Sequence, residues 1–340
     1  MGKKKARPAP ADGAAGERGA AAAGGDADKT STSGRPYTLS MAVCASMIDN
    51  TQNIEFATFV AGQVARTAAI FCVDELVVVD DAPGGEPGSV GAGAAFLARV
   101  AQYLETPQYL RKALIPMHPD LRLAGALPPL DAPHHMRASE WAPWREGLVM
   151  RSSPGAGSVV DIGLDRMAAV PAPLRVGARV TLAVGPAPDA VFAPEYSEHM
   201  IRGSVAPPSA PREEAGLYWG YTVRLARGLS GLLHEGPFPG GYDLKLGTSE
   251  RGQAVPPGHL ALPRFRHALV AFGGPEGLEA AAAADRALGG RDAPELFDLW
   301  LNTCPAQGSR TIRAEEAILI SMAALQAPLA AFGGPAPAPQ

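Results

Sequence analysis

The stretch FCVDELVVVDD, residues 71–81, contains the run that decides the fold. Its core, Glu75 to Val79 (ELVVV), is continuously apolar and β-branched and is closed by Asp80 and Asp81. A strand with one wet face alternates apolar with polar residues. A run without alternation reads as a strand buried on both faces, as in a parallel sheet. On its N-terminal side, Phe59, Val60, Gln63, Val64, Thr67 and Ile70 return every three or four residues, which predicts a helix over 56–71. Before that helix, Tyr37 to Val43 is a short apolar run and a candidate strand. On the C-terminal side, a Gly-rich loop leads to helical patterns at 94–104 and 109–114, separated by Pro107. Strand, helix, strand, helix is the grammar of an α/β sheet.

From Pro116 to about Ala215 the helical period fades and prolines become frequent. Short β-like pieces at 147–151, 158–162, 167–170 and 178–184 predict a small barrel, with 207–211 as the linker out of it. The α/β grammar then resumes, with strands at 221–225, 242–246, 267–272 and 296–301. Helices are expected at 226–234, 278–284 and 313–325. The expected fold class is therefore α/β, one domain interrupted by a β-rich insertion. Residues 1–36, rich in Ala, Gly, Lys, Asp and Pro, cannot bury enough apolar surface to offset their ordering entropy and are expected to be disordered. The same is expected of the Gly/Pro/Ala-rich end, 329–340.

The chain has 340 residues, 46% of them hydrophobic, and a net charge of -4. A global basic signature is absent, so any nucleic-acid contact must come from a local patch. Cys44, Cys72 and Cys304 are odd in number and lack metal-ligand spacing, which suits a reducing compartment without a disulfide framework. No apolar run is expected to approach the ~20 residues of a membrane span. The GKKKAR at 2–7 is a short basic run that could serve as a nuclear signal or as plain solubilising charge.

Three segments that follow predicted strands have a composition that exposes backbone: GTSERG (247–252), GGPEG (273–277) and NTCPAQGSRT (302–311). In open α/β sheets ligands bind at the carboxyl ends of strands, where glycines allow close approach. Three such loops could cradle a nucleoside-type cofactor. With no GxxxxGK[ST], and no GxGxxG opening a helix after the first strand, a nucleoside triphosphatase or an ordinary dinucleotide enzyme is disfavoured.

The segments LSMAV (39–43), FCVDELVVVDD (71–81), PQYLRKAL (107–114), PHHMR (133–137), YWGYTVRLA (218–226), GYDLKLGTSERG (241–252), RHALVAFGG (266–274) and NTCPAQGSRTIRAEEAILISMAAL (302–325) resemble the SPOUT-class RNA methyltransferase family that includes a human kinetochore-associated member. The resemblance runs from about 37 to 328. It implies a SPOUT domain in two parts, 37–115 and 217–328, with a C-terminal trefoil knot, an OB-like insertion at 116–216, and a homodimer. It also implies S-adenosyl-L-methionine as cofactor, held by Gly247, Thr248, Ser249, Glu250, Gly273, Gly274, Gly277, Asn302, Gln307, Gly308, Ser309 and Thr311. The dimer expectation is placed on an apolar face of Ile318, Leu319, Met322 and Leu325, a stripe that could equally be core.

Methyl transfer to a ring nitrogen needs positioning, and a base or cation that helps the nitrogen ionise. Arg310 and Arg66 are the arginine candidates for that catalytic role, with Arg251 and Arg313 beside them. Asp49 and Asn50 are candidates to touch the target base, or else cap the following helix. Glu315 and Glu316 are accounted for by a helix N-terminus alone. His134 and His135 adjoin no third ligand, so no metal is expected. With Arg137 and Arg145 they are expected to line the junction of insertion and core as an RNA track. Tyr109, Arg111 and Lys112 form a second aromatic-basic cluster suited to single-stranded RNA. The resemblance, and not any residue pattern, implies methylation of an RNA base, with N3 of uridine in ribosomal RNA the first candidate and a nuclear or nucleolar location expected. The alternative is a binding protein of spindle, kinetochore or ribosome that keeps the pocket without turnover.

Overall fold

A computed structural model of the chain describes residues 34–81, 89–186, 199–255, 258 and 260–335. The expectations for 1–33 and 336–340 lie outside the described residues. The first layer starts with β1 (Thr38–Cys44), α1 (Ser46–Asp49), α2 (Ile54–Ile70), β2 (Glu75–Asp80), α3 (Ala92–Glu105) and α4 (Gln108–Leu114). A second layer holds β3 (Trp144–Ser153), β4 (Gly157–Asp161), β5 (Ala168–Val170), β6 (Arg179–Ala183), β7 (Ile201–Arg202) and β8 (Ser204–Ala206). After α5 (Ala210–Ala215) the chain returns to the first layer through β9 (Thr222–Arg227), α6 (Gly228–His234), β10 (Leu244–Ala254), β11 (His267–Phe272), α7 (Gly277–Ala284), β12 (Leu299–Asn302) and α8 (Ala314–Phe332).

The first sheet is parallel throughout, in the order β12-β10-β11-β1-β2-β9. ELVVV is an inner strand paired on both edges, which is why it shows no alternation. Successive β1 residues still face two cores. Met41 and Val43 pack with α2, α3 and α8, whereas Ala42 and Cys44 pack with α6 and α7. A buried carboxyl group lies within the sheet. Glu75 accepts from Ser40 Oγ (2.7 Å), Tyr242 OH (2.6 Å) and Arg224 Nε (2.7 Å), so the buried carboxylate is fully partnered.

The second sheet runs β7-β5-β4-β3-β6-β8, antiparallel except for β5 with β7. β7 pairs with one edge and β8 with the other, and only Gly203 lies between them. A single residue can join two edges only if the sheet curls on itself. Val149, Val160, Ile162, Val170, Leu182 and Ile201 fill the inside.

Several expected boundaries are corrected. GTSERG is part of the long bulged strand β10 and not a loop after it. The segment 207–211 is less a linker than the entry to α5, because Pro211 is tolerated in a helix's first turn. β12 starts at Leu299, preceded by a 3-10 turn, and α8 continues to Phe332 with Pro328 inside it. Gly333 then bridges to Phe265, so 329–333 are structured. Residues 34–36 are also placed, with Arg35 donating to Asp74 at 2.6 Å. By length and composition α8 is apolar enough to cross a membrane, contrary to expectation. Its Ile318, Met322, Leu325 and Leu329 are buried against the sheet. That stripe is therefore core, and only Leu319 of the expected dimer face is exposed.

Candidate functional site

The carboxyl ends of β1, β10, β11 and β12 open into one cleft of about 940 Å³. Its walls are the connection after β1, the bulge of β10, the glycine turn after β11, the segment after β12 and the first turns of α8. This is the end of a parallel sheet where ligands bind.

The bulge is defined by register. Thr248 and Gln253 both pair with Leu301, so 249–252 are displaced from the ladder. Asn302 fixes the displaced segment: its Nδ2 donates to the Glu250 carbonyl (2.8 Å) and its Oδ1 accepts from Cys304 N (3.0 Å). Thr248 Oγ1 donates to the Ala271 carbonyl at 2.8 Å, tying β10 to β11 at the rim. Ser249 Oγ donates to Glu279 Oε1 at 2.9 Å. In the glycine turn, Gly277 has φ +81° and donates to the Gly274 carbonyl at 3.0 Å. A Cβ on Gly273 would lie 2.3 Å from Gly277 C, and one on Gly274 would lie 1.9 Å from Ser46 Oγ. Gly273 is demanded by close backbone approach, and Gly274 by the Ser46 side chain packed over it. In the third segment Gln307 Nε2 donates to the Ser309 carbonyl (3.1 Å) and Ser309 Oγ to the Thr311 carbonyl (2.7 Å).

The structure brings most, though not all, of the expected residues together. Thr248, Ser249, Glu250, Gly273, Gly274, Gly277, Asn302, Gln307, Thr311 and Asn50 line the cleft, as do Arg251 and Arg313. Gly247 lies behind it, where a Cβ would meet Trp300 at 2.4 Å. Gly308, Ser309 and Arg310 are exposed and outside the lining. Arg66 is likewise outside, with Nη1 donating to the carbonyls of Pro129 (2.8 Å) and Leu130 (3.0 Å). Ten residues along α2 from Phe56 amount to roughly 15 Å, which removes its guanidinium from the strand ends. Sequence reasoning missed Glu279, Phe56 and the 51–53 turn. Glycine-bearing loops mark the ends of the later strands, whereas the segment after β1 carries no such signal and yet ends at the same rim. Phe56 carries the Arg313 guanidinium at 5.4 Å from its ring.

Carboxylates of Glu250, Glu276, Glu279 and Glu315 face the cleft beside the cations Arg251 and Arg313. Just behind, Ser46 donates backbone N and Oγ to Asp81 (2.9 and 2.6 Å). Burial, and then the charge of Asp81, raises the Asp49 carboxyl above its ordinary range. The same two causes push the Cys44 thiol well up. Among the described residues no group of three or more His, Cys, Asp or Glu is arranged to hold a metal.

The expected RNA track at the junction of the layers is corrected. His134 and Arg145 are fully buried. Arg145 donates to the carbonyls of Ile162 (3.0 Å) and Glu140 (2.7 Å), and His134 Nε2 lies 3.0 Å from Glu105 Oε1. Tyr109 OH donates to the Glu146 carbonyl, and Arg111 to those of Leu104 and Thr106. Tyr109 ties α4 to the second layer, while Arg111 and Arg145 spend their donors on carbonyls within 17 residues of them in sequence, which leaves Lys112 as the exposed cation of the 109–112 cluster.

A profile of the family described as "Putative RNA methyltransferase" matches residues 38–325. The human 28S rRNA (uridine-N(3))-methyltransferase is 52% identical over 304 residues, covering 86% of this chain and 79% of that protein. The Mus musculus protein of the same description is 50% identical, covering 89% and 80%. The Drosophila melanogaster protein is 41% identical, covering 86% and 62%. Because the profile takes in the parallel layer, the cleft and the curled sheet alike, this chain belongs to that family of RNA methyltransferases.

Proposed function

We propose that this chain transfers a methyl group from S-adenosyl-L-methionine to N3 of a uridine in large-subunit ribosomal RNA. The observation that carries this reading is the cleft at the strand ends, whose glycine turn presents bare backbone and whose relatives are named for that reaction. The residues suit such a donor. Gly273 and Gly274 leave main chain open, Phe272 and Leu301 offer apolar wall, and the carboxylates suit a cationic ligand. The backbone at 248–250, 273–277 and 302–304, with Gln307 and Thr311, would hold it. Bound there, the cofactor supplies an electrophilic methyl group.

The chain's own contribution is orientation. Arg251 and Arg313 are placed to hold phosphate or a base edge at the mouth, and Asn50 to hydrogen-bond the target base. The Asp49 carboxylate lies toward α3, where a Cβ on Gly93 would meet its Oδ1 at 2.4 Å, and it is outside the cleft lining, so the uridine N3 proton is left to solvent at the mouth. Arg310 on the outer rim is proposed to reach RNA and not the cofactor. Arg66 is assigned to holding the 129–130 segment.

In the same reading the C-terminal part of the first layer forms a trefoil knot. The return of α8 from edge strand β12 to pack with α2 supports this. The second layer is then an OB-like insertion, supported by its curl at Gly203. A homodimer would bury Leu319 and Ile320 of α8 with Phe59 of α2, all exposed in the single chain. A nuclear or nucleolar location fits a ribosomal RNA substrate. The test is mass spectrometry of ribosomal RNA treated with the purified protein and S-adenosyl-L-methionine. New N3-methyluridine, lost with Gly274→Val, is expected. RNA left without it would overturn the reading.

A further inference from the structure

Glu279 is the third residue of α7. A glutamate there commonly turns back to cap its own helix through the N-cap N–H. Here Oε1 accepts instead from Ser249 Oγ at 2.9 Å, on the bulge of β10, and both residues line the cleft. Its Oε2 stands 2.6 Å from where a Cβ on Gly277 would be, so the carboxylate lies over the glycine turn. Glu250 and Glu276 are exposed, whereas Glu279 is half-buried. Among the described residues no Lys, Arg or His forms an ion pair with it. It is a carboxyl group fastened by a neutral hydroxyl, with no protein cation at ion-pairing distance among the described residues.

We infer that Glu279, held by Ser249, reads the charge of the methyl donor and favours the cationic sulfonium over the neutral thioether left after transfer. This rests on the methyltransferase reading above. In the reaction the methyl carbon–sulfur bond breaks with its electron pair left on sulfur. The N3–carbon bond forms, and the N3 proton passes to a base or to solvent. The spent donor therefore carries one positive charge fewer. At ion-pairing range, in a partly open site, one carboxylate favours the charged form on the order of tenfold. Such a preference would load the enzyme with fresh donor and release the product. A carboxylate that merely staples two walls would affect charged and neutral ligands alike.

The experiment is isothermal titration of the full chain with two ligands. S-adenosylhomocysteine is neutral at sulfur, and sinefungin carries an amine cation at the corresponding position. Wild type, Glu279→Gln and Glu279→Asp are compared, with thermal melts confirming that each folds. For Glu279→Gln a roughly tenfold loss of sinefungin affinity is expected, with S-adenosylhomocysteine affinity nearly unchanged and Glu279→Asp keeping part of the preference. Equal losses for both ligands, or no change for either, would overturn the charge-reading role while leaving the cofactor site in place. Wild type that binds neither ligand would overturn the methyltransferase reading itself.

Discussion

Arg179 of β6 grips Glu105 at the end of α3 with two prongs: Nη1 is 2.6 Å from Oε2 and Nη2 is 2.9 Å from Oε1. The pair joins the curled sheet to the parallel layer. Arg179 Nε also reaches Glu146 Oε2 at 2.6 Å, and Glu146 Oε1 accepts from Trp219 Nε1 at 2.7 Å. Burial opposes ionisation of Glu105, but the His134 hydrogen bond and the Arg179 charge outweigh it, holding the carboxyl down at about 2. Gly220, with φ +84°, passes directly beneath, where a Cβ would meet Glu105 Oε1 at 2.4 Å. The orientation of the second layer, and with it any RNA surface it offers, depends on this joint.

Removing the cation should leave two buried carboxylates without their partner. Arg179→Met is expected to destabilise the protein by about 3 kcal/mol, measured by urea denaturation. Adding Glu105→Gln should recover much of the loss. A change within about 0.5 kcal/mol would show that the pair does not hold the layers.

The same joint sets acid stability. Burial, and then the charge of His134, lowers His135 to about 4 from 6.5. The unfolded chain therefore binds more protons between those values, and stability falls as pH drops from 6.5 to 4. Glu105, lowered from 4.5 to about 2, contributes stability that is present above 4.5 and is lost between 4.5 and 2. His135→Gln should flatten the upper window and leave the lower one intact, read from urea midpoints across pH. An unchanged upper slope would assign it to other groups.

Gly274 and Gly308 should behave oppositely. A methyl on Gly274 meets Ser46 Oγ at 1.9 Å, whereas one on Gly308 meets nothing within 4 Å. Gly274→Ala is expected to cost roughly 1–3 kcal/mol and to abolish S-adenosylhomocysteine binding by calorimetry. Gly308→Ala should leave the melting temperature and binding close to wild type. Equal tolerance of both would remove the glycine turn from the site.

Arg251 and Arg313 are expected to serve RNA and not the donor. Replacing either with Ala should weaken binding of a ribosomal RNA fragment by about tenfold and reduce the salt dependence by about one counterion. Affinity for S-adenosylhomocysteine should stay unchanged. Fluorescence anisotropy at several salt concentrations separates the two, and a loss confined to the cofactor would reverse the assignment.

Leu319→Glu places a charge on the exposed face of α8 without touching the buried stripe. A dimeric wild type and a monomeric variant are expected by light scattering, both folded by circular dichroism. A monomeric wild type would remove the dimer from the proposal.

Much of the parallel layer was legible in the sequence because its signals are local. ELVVV lacks alternation because both faces are covered, and 56–71 repeats its apolar residues at the helical period because one face packs on the sheet. The glycine turn was equally plain, since Gly273 clears the backbone of Gly277 and Gly274 clears the Ser46 side chain. What the linear pattern could not carry was register, direction and partnership across distance. GTSERG reads as a loop, yet β12 turns it into a bulge by pairing Leu301 with both Thr248 and Gln253. Ile318, Met322 and Leu325 form the same stripe whether they meet a second copy or their own sheet, and the fold chose the sheet. Arg66 and Arg145 are arginines of the kind that bind RNA, but carbonyls brought near by folding occupy their donors. Glu279 falls just past the GGPEG segment, and nothing in the linear pattern singles it out. Only tertiary structure sets it against Ser249, thirty residues away, because charge and hydrogen bonding act through space while periodicity acts along the chain.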